Sequence, residues 1–157
     1  MKKLLRSLLA VMLIAMMALS FTSCAKPEKV EDKLKDMDYE VELYDDEDDI
    51  EELMEEMFEM AEYYGLDLDV ETPVAIIDAY DEDYESNVTI YWFENKKDAK
   101  DAVEAVEEYL SALEDLFREF GMEDYLDEIP EVASKGKIVV VGYGDAFDDA
   151  CDIVKAK

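Results

Sequence analysis

The run Lys137-Ile-Val-Val-Val-Gly-Tyr143 constrains the fold of this chain more than any other segment. Ile138 to Val141 are four β-branched residues in a row, stiff at χ1 and suited to a pleated surface. A strand points successive side chains to opposite sides, so Ile138 and Val140 face one way and Val139 and Val141 the other. Both sets are apolar. The segment is therefore a strand with cover on both of its faces at least in part. Gly144 and Asp145 break it and cap a last helix, Ala146 to Val154.

The remaining periodicities supply neighbours for this strand. Val30, Leu34 and Met37 mark one side of a short helix. Tyr39 to Tyr44 alternates, with Tyr39, Val41 and Leu43 on one face. Ile50, Leu53, Met54, Met57, Phe58, Ala61 and Tyr64 follow helical spacing, and Gly65 stands where a C-terminal cap belongs. Pro73 opens a second strand, Val74 to Tyr80. An acidic turn, Asp81 to Glu85, joins it to a third, Asn87 to Glu94, and the two form a hairpin. Asn95 caps a long helix whose apolar positions run from Ala99 to Phe120, with Gly121 ending it. Met122 to Gly136, with Pro130 inside it, reads as a loop holding at most one helical turn.

The order is β-α-β-β-α-β with a helix at each end. It predicts an α+β domain of the ferredoxin-like split β-α-β kind, with a four-stranded antiparallel sheet and extra N- and C-terminal helices. Right-handed crossovers would place both main helices on one face. The other face would be open unless the terminal helices or a partner cover it. In the third strand Val88, Ile90 and Trp92 point one way and Thr89, Tyr91 and Phe93 the other. Aromatic rings on an outer sheet face mark an interaction surface, which makes Tyr91 and Phe93 candidate contact residues. The competing reading lays a terminal helix over the rings.

Charge excludes whole classes of partner. The chain has 44 acidic residues against 15 basic ones and a net charge of −29. Three of the basic residues, Lys2, Lys3 and Arg6, lie in the first 23 positions, which hold no acid. The remaining 134 residues therefore carry −32. Nucleic acid is excluded, because its binding depends on Lys and Arg displacing counterions from phosphate. Anionic lipid headgroups are repelled in the same way, whereas cations and basic protein segments are attracted. Half of all residues are apolar and periodic, so the acids decorate a folded domain and not a disordered tail.

The N-terminus carries an address. Met1 to Arg6 is positively charged, and Leu8 to Phe21 is apolar apart from Ser20 and short for a membrane span. Thr22 and Ser23 then precede Cys24. The pattern resembles the lipobox of bacterial lipoproteins, although Phe21 stands where the family usually has Leu, Val or Ile. The resemblance implies that a diacylglyceryl group is attached to the Cys24 sulfur and that a dedicated peptidase cuts just before it. The expected division is a signal peptide at 1–23, a lipidated tether at 24–29 and an acidic α+β domain at 30–157. The expected location is the extracytoplasmic face of the cell membrane, held there by lipid; two acyl chains suffice for stable anchoring. With Cys24 acylated, Cys151 has no intramolecular partner, and its place beside Phe147 and Val154 reads as a buried, inert thiol.

At the level of arrangement the chain is also similar to small lipoproteins of Gram-positive bacteria. The shared features are the lipobox, an acidic helix after an alternating strand, a Tyr-rich hairpin and a long Ala- and Glu-rich helix. They end in a glycine-bounded apolar strand, here Gly136-Lys137-Ile138-Val139-Val140-Val141-Gly142. The resemblance covers nearly the whole chain; its motifs are structural and imply no activity.

Little catalytic chemistry is signalled. The chain has no histidine, which removes His-based triads and most zinc and copper sites. Gly142-Tyr143-Gly144 lacks the third glycine of a dinucleotide fingerprint and reads as a strand terminus. Carboxylates are too numerous for any pair to point to a glycosidase. Hard cations are the more physical use for them. The densest group is Asp45, Asp46, Glu47, Asp48 and Asp49, and the next is Asp78, Asp81, Glu82, Asp83 and Glu85. Neither matches an EF-hand: from Asp45 the sixth place is Ile50, where the turn needs glycine, and from Asp81 the twelfth is Trp92. The expectation is weak, diffuse calcium or magnesium binding. The leading functional expectation is a non-enzymatic binding or interaction domain whose partner is a cation, a basic protein segment or a second copy. Its rival is a carboxylate-based hydrolase acting on cell-wall or glycan substrates.

Overall fold

A computed structural model describes residues 25–63, 70–122, 126 and 129–157. In chain order these form α1 (Pro27–Lys35), β1 (Glu40–Tyr44), α2 (Glu47–Tyr63), β2 (Ala75–Tyr80), β3 (Asn87–Trp92), α3 (Lys96–Glu119), β4 (Glu131–Lys135), β5 (Ile138–Tyr143) and α4 (Gly144–Val154). The five strands make one antiparallel sheet in the order β1-β2-β3-β5-β4.

The domain is α+β, as the periodicities indicate, but two features of the expected topology are corrected. The sheet has five strands, not four, because Glu131–Lys135 is a strand and not part of a loop. It pairs with β5 through the two-residue turn Gly136-Lys137, in which Gly136 has φ +67°. Positive φ at a tight hairpin turn is what glycine permits. The second correction concerns pairing. A split β-α-β unit requires the helix to return the chain so that the next strand runs parallel to the first. Here β1 and β2 are adjacent and antiparallel, with Glu42 opposite Asp78 and Tyr44 opposite Ile76. The chain therefore enters β2 at the end of the sheet where β1 finishes.

The apolar β5 sits inside the sheet, flanked by β3 and β4, and both of its faces are covered. Ile138 and Val140 join Ala75, Ile77, Ala79, Val88, Ile90 and Trp92 on one face, packed against Val30 and Leu34 of α1 and Ala146, Phe147, Ala150 and Val154 of α4. Val139 lies on the opposite face with Phe93 under Ala99 and Ala102 of α3. Beside them, Ile50 and Met54 of α2 pack on Ile76. The result is three layers: terminal helices, sheet, central helices.

Local sequence explains the element ends. Pro27 opens α1, where its fixed φ and missing N–H cost nothing. The Asn95 side chain accepts from the N–H groups of Lys97 (2.9 Å) and Asp98 (3.1 Å), capping α3 as expected. A Cβ at Gly142 would stand 2.3 Å from the Asn87 carbonyl oxygen, so the β3–β5 approach requires glycine there. At Gly144, φ is +70° and a Cβ would meet Ser86 at 2.6 Å. The Gly142-Tyr143-Gly144 motif is thus a strand end turning into α4.

A groove between the central helices

The functional candidates of the sequence lie in separate places. Asp45 to Asp49 lead into and form the first turn of α2, all of them exposed. Asp46 accepts from the Asp48 N–H at 3.1 Å, and the rest sit where a helix N-terminus favours negative charge. Asp81, Glu82 and Asp83 occupy the β2–β3 turn. One Asp81 oxygen accepts from Ser86 Oγ at 3.2 Å; the other is enclosed with no hydrogen-bond partner among the described residues. Glu82 and Asp83 point to solvent. Among the described residues, no three Asp, Glu or Cys side chains converge as a metal site. Cys24 and the leader lie outside the described residues. Among the described residues, no helix is long and apolar enough to cross a membrane.

The first described residue after Cys24 is fixed. The Ala25 carbonyl accepts a hydrogen bond from Trp92 Nε1 at 2.9 Å, and Ala25 packs on the core. Residues 27–29, assigned from sequence to a tether, are the first turn of α1.

Phe93 is sealed beneath α3, while Tyr91 is only half-buried. The Tyr91 ring forms part of the floor of a groove between α2 and α3. One chamber, about 190 Å³, is lined by Met57 and Ala61 of α2, Ala105, Val106, Tyr109 and Leu110 of α3, and Val70, Pro130 and Val141. A neighbouring chamber of about 130 Å³ shares Met57 and Tyr91 and adds Leu53, Met54, Ile76, Asp78 and Thr89. The groove exists because α3 presents small or half-buried residues here and its closest packing, at Ala99 and Ala102, is one turn earlier.

Among the described residues that line the groove, Asp78 is the one carboxylate. It stands in the middle of β2, half-buried, between the cross-strand partners Glu42 and Thr89. Burial raises its pKa above the usual carboxylate value, and the Glu42 charge pushes the same way. The Thr89 hydroxyl, hydrogen-bonded to the carboxylate, partly offsets both. The Tyr91 phenol is pushed up to about 12 by burial and then by the charge of Asp78. Carboxylate, hydroxyl and phenol thus lie together at one end of an otherwise apolar slot. The chemical capacity of this arrangement is recognition: an apolar body fits the larger chamber, and a positive or hydrogen-bond-donating head meets Asp78. The sequence groups Asp78 with the acids of the turn that follows as a candidate cation ligand; the structure places it within β2, at the groove.

Cys151 is half-buried on α4, and its thiol pKa rises to about 11 through burial and then the charges of Asp148, Asp152 and Glu131. It is a weak nucleophile at neutral pH.

In comparisons with protein-family models, curated proteins and solved structures, the chain matches none.

Proposed function

We propose that this chain is a lipid-anchored lipoprotein of the extracytoplasmic membrane face whose domain binds, without catalysis, a small amphipathic cation in the groove between α2 and α3. The observation that carries the reading is Asp78, a desolvated carboxylate at the polar end of an apolar slot. A cationic head brought beside it restores the interactions that burial removed. The surrounding excess of carboxylates raises the local concentration of any cation. The anchor rests on the leader and Cys24, as read from the sequence. Calcium and magnesium enter as weak counterions of the Asp45–Asp49 and Asp81–Asp83 groups; unchanged melting in millimolar calcium would remove them.

Phenethylammonium and 2-phenylethanol provide the test, since they share a ring and differ in the head group. The cation is expected to raise the melting temperature and to bind by calorimetry at millimolar concentration, and the alcohol to do neither. Asp78→Asn should abolish the difference. Equal responses to both compounds, or a response that survives Asp78→Asn, would overturn the seat. Intact mass of the native protein tests the anchor: an N-terminus at Cys24 bearing acyl mass supports it.

One observation favours the rival hydrolase: Glu42 and Asp78 are directly opposed on neighbouring strands, and Asp78 is raised. Release of reducing sugar from cell-wall glycan, lost in both Asp78→Asn and Glu42→Gln, would decide for it.

A further inference from the structure

We infer that the outer edge of β1 is a docking site for an extended basic segment of another protein, which adds to the sheet beside β1 with arginine or lysine opposite Glu40 and Glu42. The site is separate from the groove and does not depend on it.

The two edges of the sheet are β1 and β4. The hydrogen bonds of the inner strands fix which edge residues turn their backbone groups outward. In an antiparallel pair, opposed residues alternate between exchanging N–H···O bonds and turning those groups away. The Asp81 N–H donates to the Ser86 carbonyl at 3.2 Å, so the odd-numbered residues of β2 face β3 and the even-numbered ones face β1. Glu40, Glu42 and Tyr44 therefore bond to Tyr80, Asp78 and Ile76, and Val41 and Leu43 present N–H and C=O at the outer edge. The same alternation, started from the bond of the Phe93 N–H to the Lys137 carbonyl, turns Ser134 outward on β4. There the outward groups are used: Ser134 exchanges backbone bonds of 3.4 Å with Lys157. Among the described residues, no backbone group pairs with the outer side of β1.

Charge selects the occupant of this open edge. Glu40 and Glu42 share one face of β1, and both are exposed. From Asp36 to Asp49 the chain holds nine acids and no base. The elements α2, β2 and β3 also hold no base, and Asp78 stands opposite Glu42. In α1, Lys29, Lys33 and Lys35 are balanced by Glu28, Glu31 and Asp32, and Lys35 is held by Glu31 at 2.7 Å. A second copy fits the edge badly. The register that pairs the whole strand has its two-fold at Glu42 and sets that carboxylate against itself, which destabilises.

A basic strand meets the opposite situation. With Val41 and Leu43 hydrogen-bonded to an antiparallel partner, Glu40 and Glu42 fall at the non-hydrogen-bonded positions, where opposed Cα atoms are about 4.5 Å apart and side chains are closest. Arginine placed there forms charge-assisted pairs. The alternate residues of the partner lie beside Val41 and Leu43 and are apolar. Backbone bonds supply affinity and the alternation supplies specificity, as in other cases of strand addition.

Short capped peptides alternating arginine and valine provide the probe, with binding to the full chain followed by fluorescence anisotropy. Methyl groups on the valine nitrogens block the donors that face β1, whereas methyl groups on the arginine nitrogens point away from it. The unmethylated and arginine-methylated peptides should bind, and the valine-methylated one should bind about tenfold more weakly. A peptide alternating glutamate and valine should not bind. Glu40→Gln combined with Glu42→Gln should weaken the arginine peptide about tenfold. On the unaltered chain, bound peptide should slow amide exchange at Val41 and Leu43 and leave Val132, which turns outward on β4, unchanged. Equal binding of the two methylated peptides, or unchanged exchange at Val41 and Leu43, would overturn strand addition. Self-association that protects Val41 and Leu43 without any peptide would overturn the choice of occupant in favour of a second copy.

Discussion

The two faces of the sheet are built to different standards. On the face covered by the terminal helices, Val30, Leu34, Ala146, Phe147, Ala150 and Val154 are all buried against Ile77, Ile90, Ile138 and Val140. Alanines at 146 and 150, one turn apart, let α4 approach the strands closely. Tyr39 adds a clamp, its hydroxyl donating to Asp149 at 2.8 Å. On the face covered by α2 and α3, burial is confined to a few positions. Ala99 and Ala102 are buried, Val106, Tyr109 and Leu110 are half-exposed, and Phe120 at the end of α3 is 70% exposed. The floor carries Asp78, Thr89 and Tyr91 beside the aliphatic Ile76 and Val141, and Met57, an adaptable thioether, lines both chambers. One face holds the fold rigid; the other leaves room for a ligand. That division lets a domain of this size carry an imperfect face without losing its structure.

Truncation should expose the contrast most strongly. Leu34→Ala removes a fully buried side chain and is expected to cost about 2–5 kcal/mol. Met57→Ala, on a half-buried residue that already borders empty space, should cost less than about 1 kcal/mol. Urea denaturation of both variants checks this through the shift in midpoint at constant slope. Similar losses would mean that the two faces are equally packed. Enlargement gives the converse, at smaller magnitude. Ala150→Leu forces a side chain into a filled site and should destabilise by about 1–3 kcal/mol. Ala105→Leu projects into the groove and should leave stability unchanged or slightly raised, while weakening phenethylammonium binding.

Much of the dense face was legible in the sequence. A strand apolar on both sides, Ile138 to Val141, needs cover on both faces, and the spacing of Val30 with Leu34 and of Phe147 with Val154 marks two terminal helices able to supply it; its place between two other strands came from the structure. The hairpin of β2 and β3 followed from the acidic turn between two alternating runs, and Asn95 announced α3. Strand β4 was hidden because Glu131-Val-Ala-Ser-Lys135 has only two apolar residues, which fall on opposite faces, so no period emerges. Its one signal was Gly136 opening a two-residue turn before a strong strand. The pairing of β1 with β2 was illegible for another reason: helix periodicity tells how long a connection is, not at which end of the sheet the next strand enters. The groove was harder still. Whether α2 and α3 touch depends on helix placement, and Asp78 was grouped with the acidic turn as a cation ligand until the sheet put it beneath a helix.

A third measurement probes how α3 is held. Because its later turns pack loosely, its own cap should carry a larger share of its order. Asn95→Ala is expected to cost about 1 kcal/mol and to speed amide exchange at Lys97 and Asp98, with little change in α4. Slower or equal exchange in α3 would show that packing, not capping, sets its stability.

The smallest effect is also the most specific to the looser face. Asp78 has a folded-state pKa above its ordinary value of 3.8, so the folded protein holds this proton more tightly than the unfolded chain does. The associated stabilisation is complete below pH 3.8 and is lost as pH rises through the folded-state pKa; above that it stays lost. Other carboxylates bend the total curve, so the informative quantity is the difference between wild type and Asp78→Asn, measured by thermal melts over a pH series. The variant should gain relative to wild type as pH rises above 3.8, with the gain levelling off once Asp78 is ionised in the folded state. Bound phenethylammonium should shrink that gain, since it compensates the wild-type carboxylate and has no counterpart in the variant. A difference that stays flat with pH would mean that water reaches Asp78 freely, and the contrast between a sealed face and a receptive one would lose its chemical half.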